Sequence, residues 1–152
     1  MSPRPAFTPP DPNYAARVAA SFARQGVMGL LGARITRIEP GLCEIRLPYR
    51  PDLSQQHGYF HAGVTSTIAD SAGGYAGFTL FPSDSAVLTV EFKINLLAPA
   101  DGDLLIAVGR VIRTGRTLTV CALDVEVEKA GKRSGCAHGL QTLITVAGRP
   151  EA

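Results

Sequence analysis

Cysteine is scarce in this 152-residue chain, charge is low, and no apolar run is both long and unbroken. The three cysteines, Cys43, Cys121 and Cys136, are odd in number, far apart and at no metal-ligand spacing, which favours reduced core residues in a cytoplasmic protein. The net charge of +2 and the lack of a Lys/Arg block argue against a nucleic-acid surface. No basic segment followed by an apolar one begins the sequence, so no secretory signal is expected.

The longest apolar segment, within residues 61–80, is interrupted by Asp70 and by glycines, which predicts no membrane span there. Hydrophobic residues make up 45% of the chain and charged residues 18%, proportions that suit one compact domain with a sizeable core. Five prolines among the first twelve residues predict a disordered tail over 1–12, followed by a single domain over 13–150.

Periodicity and turn residues predict the order of elements in this domain: one helix, two strands, one buried helix, then four strands. The first helix is expected over 13–25 and stops at Gly26, and the buried helix spans about 61–80. The predicted strands cover residues 32–38, 42–48, 86–97, 104–113, 116–128 and 136–146. Three successive hairpin links between the last four strands predict an antiparallel meander.

The strand over 86–97 alternates between apolar and mixed side chains. Its predicted buried face carries Ala86, Leu88, Val90, Phe92, Ile94 and Leu96. The buried helix is apolar nearly all round, so other elements must cover most of its surface. A single sheet with one such helix to cover should curl around it, which predicts an α+β fold with a curved antiparallel sheet of about five to six strands.

Asp70 is the only acid between Asp52 and Asp84, in a segment without Lys or Arg. Burying an ionised carboxylate without partners is costly. Asp70 therefore accepts hydrogen bonds from a neighbouring strand or faces a subunit boundary, or it serves as a general base or nucleophile. His61 precedes it by nine residues, about 13 Å of helical rise, so the two side chains do not meet within one chain.

His61-Ala62-Gly63 stands where loop becomes helix. The first N–H groups of a helix lack intrahelical partners and carry the positive end of its dipole, so they can polarise a carbonyl oxygen. An ordinary junction capped by a histidine is the alternative. His57 and His61 are four residues apart, but no carboxylate or cysteine stands near them in the sequence, so no metal site is expected.

The pattern of Gln55, five residues, His61-x-Gly63 and then Asp70 resembles that of hotdog-fold acyl-CoA thioesterases. It is most similar to the PaaI-like branch, which carries Asn or Gln, HGG and Asp at these spacings. The string QQHGYFHAG…ADSAGGYAG resembles the YigI-type members of that branch. The resemblance covers roughly residues 13–147 and implies the hotdog fold, a curved antiparallel sheet wrapped around one long central helix.

The resemblance also implies catalytic roles. Asp70 would activate water or attack the thioester carbonyl directly, and Gln55 would help to place the water or the thioester. An N–H at Ala62 or Gly63 would polarise the thioester oxygen. His61 would shape that loop and hydrogen-bond near the carbonyl.

Thr89 matches a position at which related enzymes carry Ser or Thr near the water, and a plain cross-strand threonine is the alternative. Two residues depart from the family pattern. The family's HGG is HAG here, and Ala62 preserves the N–H only if the backbone there needs no positive φ. Gly74 stands where some thioesterases carry a threonine, so hydroxyl help from that position is absent.

Arg113 and Arg116 flank a hairpin turn with Gly115 at its tip, and guanidinium groups bind phosphate in a bidentate way. The resemblance assigns CoA contacts to this hairpin; a solvated hairpin end is the alternative. The implied function is hydrolysis of medium- or long-chain fatty acyl-CoA, with aromatic acyl-CoA hydrolysis or acyl-CoA binding without hydrolysis as alternatives. No cofactor is expected beyond the CoA of the substrate. The expected partner is a second copy in a homodimer, or a dimer of dimers, with no nucleic acid or membrane.

Overall fold

A computed structural model describes residues 5–151 and confirms the predicted order of elements, with one further short helix. The helices are α1 (Tyr14–Ala23), α2 (Gly26–Leu31) and α3 (Ala62–Phe78), with a 3-10 turn at Pro51–Leu53. The strands are β1 (Arg34–Glu39), β2 (Leu42–Pro48), β3 (Ala86–Leu96), β4 (Leu104–Thr114), β5 (Leu118–Lys129) and β6 (Lys132–Val146). Within this range no helix has both the length and the apolarity needed to cross a bilayer.

The six strands form one antiparallel sheet in the order β1-β2-β4-β5-β6-β3, curved around α3. Small residues let helix and sheet approach closely: a Cβ at Gly109 of β4 would collide with the backbone of Ala72 in α3. The α+β hotdog architecture expected from the sequence is therefore confirmed. The core lies between the inner face of the sheet and α3, where Ile68, Ala72 and Phe78 are fully buried.

The predicted meander is wrong for β3. Among the last four strands, only β4, β5 and β6 follow one another as hairpins, whereas β3 pairs with β6 and β4 pairs with β2. The connection from β3 to β4 crosses the end of the sheet, held by hydrogen bonds from Leu97 N–H to the Cys136 carbonyl at 2.8 Å and from Asp103 N–H to the Glu128 carbonyl at 2.8 Å. As a result β3 is an edge strand.

The predicted buried face of β3 is wrong in the first half of the strand, where Leu88 and Val90 are each 57% exposed. In the second half the predicted residues Phe92, Ile94 and Leu96 do share a face with buried residues of β6, although Leu96 is 54% exposed at the strand end. The pairing of β3 with β6 shifts between Thr89 and Glu91, so that Val90 is an extra residue in a bulge. Paired residues share a face of the sheet, and Thr89 pairs with the buried Leu143. The inward face therefore changes from odd-numbered to even-numbered residues at the bulge, and Thr89 points towards α3.

The N-terminal region differs from the sequence prediction in two ways. A helix was expected to stop at Gly26, but extended backbone at Gln25 is followed by α2, which ends at Gly32 with a φ of 79°. Residues 5–12 were expected to belong to a disordered tail. Instead Phe7 packs against the core. Asp11 is buried in an ion pair with Arg17, because the Arg17 guanidinium lies over the apolar ring of Phe78 and needs a carboxylate there. Residues 1–4 of the predicted tail lie outside the described residues.

Candidate active site

Asp70 lies in the middle of α3, and two side chains hold its carboxylate. Its Oδ1 accepts hydrogen bonds from Thr89 Oγ1 at 2.7 Å and from Gln141 Nε2 at 2.7 Å. Gln141 Nε2 also donates to the Asp70 backbone carbonyl at 3.0 Å. Within residues 5–151 the second oxygen, Oδ2, has no hydrogen-bond partner. The carboxylate is thus fixed through one oxygen, and its other oxygen is free to bind a ligand.

Gln141 was missed by the sequence analysis, although β6 carries a signal for it. Its neighbours on the inward face, Gly139 and Leu143, are small or apolar, so an amide between them needs a polar partner inside the fold. Gln141 is only 1% exposed, and its Oε1 has no partner among the described residues. Oε1 is left without a partner because the amide is oriented so that Nε2 points at the carboxylate. Gly73 makes room for it, since a Cβ there would collide with Oε1.

The start of α3 is capped by His61. Its Nδ1 accepts a hydrogen bond from the Gly63 N–H at 2.8 Å, and its carbonyl accepts one from the Thr65 N–H at 3.0 Å. The imidazole therefore satisfies one of the orphan donors of the helix. Of the two N–H groups suggested by the sequence, the one at Gly63 is already engaged. No hydrogen bond from the Ala62 N–H is found in the part of the chain that the structure describes, and Ala62 is exposed.

The alanine in HAG does not disturb this geometry. Ala62 is the first residue of α3, and Ala130 is the one described non-glycine residue with positive φ. The backbone at Ala62 therefore suits an ordinary L-residue, and its N–H is presented as a glycine would present it. Gly63 is the tighter position, because a Cβ there would lie 3.0 Å from the His61 Nδ1.

Two separate clefts flank α3. The first, called here the acid cleft, measures about 450 Å³ and is lined by Asp70, Thr89, Gly74, Tyr75, Ser21 and Glu151 among others. The second, called here the helix-start cleft, measures about 440 Å³ and is lined by Gln55, Ala62, Thr65, Leu96, Leu97 and Cys136 among others. The structure thus brings Gln55 to Ala62, and Thr89 to Asp70. It does not bring the two pairs together, since eight residues of helix, about 12 Å of rise, separate Ala62 from Asp70.

Gln55 and His57 lie in the loop before α3. The Gln55 side-chain carbonyl accepts a hydrogen bond from the His57 N–H, and Gln55 N–H donates to the Tyr59 carbonyl at 2.9 Å. The Gln55 amide nitrogen stays available to the helix-start cleft. His57 itself is an exposed turn residue. Within residues 5–151 no group of three or more side chains is arranged to hold a metal ion.

Arg113, Gly115 and Arg116 lie at the exposed turn between β4 and β5 and line neither cleft. The turn stands at the end of the sheet where β3 begins, because Leu118 and Leu88 both pair with Ile144. It therefore lies at the same end of the molecule as the acid cleft. Assignment of CoA phosphates to these residues stays a prediction.

The three cysteines are free and buried, as the sequence analysis expected of core residues. Burial raises the pKa of the Cys43 and Cys121 thiols to about 12, and that of Cys136 to about 11. Each thiol is therefore protonated near neutral pH, and the thiolate form needed for nucleophilic attack is scarce. The acid-cleft carboxylate is the group with a free oxygen and a solvent path.

The sequence profile of the thioesterase superfamily matches residues 57–136, more than half of the chain. A solved thioesterase family protein from Silicibacter pomeroyi is 47% identical, covers 89% of this chain and 99% of its own, and superposes with a TM-score of 0.88.

Two more distant proteins show the same likeness. A relative from Halobacterium salinarum, provisionally named an esterase, is 32% identical, and the match covers 76% of this chain and 80% of the relative. The PaaI protein of E. coli, from the phenylacetic acid degradation operon, shares the fold at 20% identity with a TM-score of 0.80, and the match covers 91% and 97% of the two chains.

Proposed function

This chain belongs to the thioesterase superfamily and is a hotdog-fold hydrolase of acyl-CoA thioesters, and we propose that two copies of it build each active site. The observation that supports this is the position of the two clefts along β3. Thr89 lines the acid cleft at one end of the strand, and Leu96 lines the helix-start cleft at the other. A carboxylate and an N–H donor that serve one thioester must be brought together.

Pairing of two β3 edges brings them together. In an antiparallel pair, the Thr89 end of one strand lies beside the Leu96 end of the other. The Asp70 carboxylate of one copy would then face the Ala62 N–H of the second. The edge strand β3 also needs a partner because it is 11 residues long and exposes Leu88, Val90 and Phe92. A long apolar edge strand of this kind is prone to unwanted pairing with other chains. A homodimer covers this edge. Association into a dimer of dimers is the alternative assembly.

The proposed reaction is general-base hydrolysis. Asp70 Oδ2 accepts a proton from water as the water oxygen attacks the thioester carbonyl carbon. The carbonyl oxygen becomes an oxyanion, stabilised by the Ala62 N–H at the positive end of α3. Collapse of the tetrahedral intermediate breaks the carbon–sulfur bond, and CoA leaves as a thiolate that takes up a proton. The products are a carboxylate and free CoA thiol.

The other site residues act around these two groups. Thr89 and Gln141 hold Asp70 through Oδ1, which keeps Oδ2 facing the cleft. The Gln55 amide orients the water or the thioester, and His61 fixes the loop through its bond to Gly63. Attack by Asp70 itself, through an acyl-enzyme anhydride, is the alternative role. In a single turnover in ¹⁸O-labelled water, general-base hydrolysis places the label in the product acid, whereas water that opens an anhydride at the Asp70 carboxyl carbon leaves the label in Asp70.

CoA phosphates are proposed to lie against Arg113, Gly115 and Arg116, where two guanidinium groups flank an open turn. No cofactor or metal is part of the proposed reaction, and neither nucleic acid nor a membrane is a proposed partner. A cytoplasmic location is proposed because the three buried thiols are free.

Two acyl classes are proposed. The likeness to YigI-type proteins favours medium- or long-chain fatty acyl groups. The polar lining of the acid cleft, which includes Ser21, Arg24 and Glu151, does not choose between the two classes, because neither an alkyl chain nor a phenyl ring replaces hydrogen bonds to water. The name of the PaaI operon supports the aromatic alternative.

The test is thiol release from a panel of fatty and aromatic acyl-CoAs by the wild type and by Asp70→Asn. The amide preserves an acceptor for Thr89 and Gln141 and removes the base. We expect kcat/KM to fall by at least about 10²-fold. The matched control is Asp84→Asn at an exposed turn, which should keep wild-type rates. Binding without thiol release would identify an acyl-CoA-binding protein, and a rate unchanged in Asp70→Asn would overturn the role of Asp70.

A further inference from the structure

The chain segment that follows β6 runs along the acid cleft. β6 ends at Val146, which pairs with the first residue of β3, and β3 lines this cleft. Five residues later, Glu151 lines the same cleft beside Ser21 of α1. Five residues reach at most about 17 Å, so the segment passes from the β3 wall to the α1 wall without a long detour. Residues 147–151 are called the strap here.

Glu151 fastens the strap to α1. Its Oε2 accepts a hydrogen bond from Ser21 Oγ, and Arg24 Nη2 lies 3.4 Å from the same oxygen. An ionised carboxylate only accepts, so Ser21 gives it the single hydroxyl proton and accepts in turn from Tyr75 Oη at 3.1 Å. Ser21 is 7% exposed and Tyr75 is 3% exposed. The strap is therefore latched to a buried pair of hydroxyl groups whose hydrogen bonds have fixed directions.

The rest of the strap is held weakly. Residues 147–150 are exposed, and the Arg149 side chain makes no hydrogen bond or ion pair with any residue in the described range 5–151. Gly148 has a φ of 68°, a left-handed conformation that costs glycine little, so the chain turns there as it leaves the sheet. Segments with exposed side chains and few contacts open at a small free-energy cost. The strap thus has a turn at one end and one polar latch at the other.

The latch lies away from Asp70, at the α1 end of the acid cleft. Tyr75 follows Asp70 by five residues on α3, about 7.5 Å of helical rise. An acetyl group held at Asp70 is too short to reach that end, whereas an octanoyl chain is longer than the distance. The closed strap therefore meets long acyl groups and leaves short ones untouched.

Building on the proposed hydrolysis at Asp70, we propose that the strap is a lid over the α1 end of the acid cleft, which blocks long acyl groups while Glu151 is latched. To admit a long group, the strap turns outward at Gly148. The hydrogen bond from Ser21 and the contact with Arg24 break, and water takes their place at the released carboxylate. The opening breaks few other contacts, because residues 147–150 are already exposed.

The latch is strong enough to keep the strap closed and weak enough to open. Arg24 keeps 48% of its side chain exposed, so its ion pair with Glu151 adds little. The hydrogen bond from buried Ser21 to a charged acceptor favours the closed form by about 10-fold. The apparent affinity of a ligand that needs the open form falls by the open fraction. Long acyl-CoAs therefore lose about 10-fold in kcat/KM to the strap, and acetyl-CoA loses nothing.

Thiol release from octanoyl-CoA and acetyl-CoA tests the lid in the full chain. In Glu151→Ala, which removes the latch, the octanoyl-to-acetyl ratio of kcat/KM should rise by about 10-fold. Ser21→Ala releases the latch but keeps the Glu151 carboxylate, so a similar rise there separates opening of the lid from loss of a charge beside the acyl chain. Ser134→Ala, at an exposed position on β6, is the matched control and should leave the ratio unchanged.

A second measurement needs no turnover. Gly74 lines the acid cleft, and a Cβ there would meet nothing within 4 Å, so Gly74→Cys places a thiol in the cleft. The native cysteines are buried and react slowly. N-ethylmaleimide reports on the thiol itself, whereas the bulky N-pyrenylmaleimide needs the α1 end to be open. The ratio of pyrenyl to ethyl labelling rates should rise by about 10-fold when Glu151→Ala or Ser21→Ala is added.

The two measurements separate the lid from the enzyme. If the wild type hydrolyses no acyl-CoA, the proposed function fails, and the labelling ratio still judges the strap. A rise in both Glu151→Ala and Ser21→Ala supports the lid. Ratios within about twofold of the wild type in both variants would overturn it. A rise in Glu151→Ala alone would also overturn it, because the carboxylate itself and not its latch would then exclude long acyl groups.

Discussion

The half of the site at Asp70 is made of side chains, whereas the half at Ala62 is made of backbone. At Asp70, two donors from β3 and β6 must converge on one oxygen. At Ala62, the useful group is an N–H that any residue except proline would supply, provided that α3 starts there. Under the proposed function, HAG would present the same donor as HGG, whereas the carboxylate depends on the exact identity of its neighbours. This difference also indicates which substitutions will separate the two halves.

The largest expected effect comes from removing the backbone donor. Ala62→Pro deletes the N–H, and proline is well tolerated at the first position of a helix. His61 already has the extended backbone that precedes proline, with φ −63° and ψ 140°. We expect kcat to fall by about 10²- to 10³-fold, the loss seen when one oxyanion donor is deleted. Ala62→Gly keeps the N–H and is the control, so equal losses in both variants would refute the donor role.

Combining an Asp70 variant and an Ala62 variant in one dimer should restore part of the activity. Asp70→Asn and Ala62→Pro each destroy every site of their own homodimer, but a heterodimer of the two keeps one intact site. Co-expression in equal amounts should recover about one quarter of the wild-type rate, because half of the dimers are mixed and each has one working site of two.

The rate of the purified mixture is measured against the control mixture of Asp70→Asn with the double variant, which lacks Asp70 in every chain and should stay inactive. Failure to recover activity in the first mixture would mean that each site lies within one chain.

Gln141 positions the Asp70 carboxylate, and its substitution should lower the rate less than the substitutions above. In Gln141→Met the Asp70 Oδ1 keeps only the bond from Thr89, so the carboxylate is held less firmly. We expect kcat to fall by about tenfold while KM stays the same, since Gln141 is buried and lines neither cleft.

The unfolding temperature distinguishes this positioning role of Gln141 from a purely structural one. The buried Oε1 without a partner disappears with the amide, so stability should be retained in Gln141→Met. Thr142→Val, at the neighbouring outward position, is the matched control. A large drop in stability with little change in kcat would assign Gln141 to the core instead.

The smallest expected effect is a difference in alkylation rate between two buried thiols, Cys136 beside the Ala62 half and Cys121 beneath α3. Cys136 lines the helix-start cleft and has a pKa raised by burial to about 11, whereas Cys121 lies under α3 with a pKa raised to about 12. At pH 8 both thiols are protonated, so labelling should be slow, and Cys136 should react first. Mass spectrometry after timed alkylation measures the order. Faster labelling of Cys121 would contradict the packing of α3 against β5.

Much of the fold was readable from the sequence because local patterns determine it. The apolar helix over 61–80 and the hairpin turn at Gly115 located their elements to within a few residues. The pairing of β3 with β6 was not readable, since strand order depends on contacts distant in sequence. The bulge at Val90 was hidden because the alternation of residues 86–96 continues without interruption through it.

The site was readable where residue type carries the chemistry and unreadable where packing does. Asp70 stood out as a lone acid, and His61 marked the start of a helix. The sequence could not tell whether Ala62 or Gly63 has the free N–H, because this depends on the orientation of the His61 ring, which engages the Gly63 N–H. Gln141 was overlooked because it lies 71 residues from Asp70 along the chain, and only the packing of β6 against α3 brings them together.

The bulge at Val90 has a practical consequence for anyone who redesigns this strand. The phase of β3 reverses there, much as a reading frame changes after a one-base insertion. A library aimed at the surface that faces α3 must vary odd-numbered positions before residue 90 and even-numbered positions after it. Deletion of Val90 would remove the bulge and leave Thr89 and Phe92 two positions apart, so both would still face inward on a strand with one unbroken alternation.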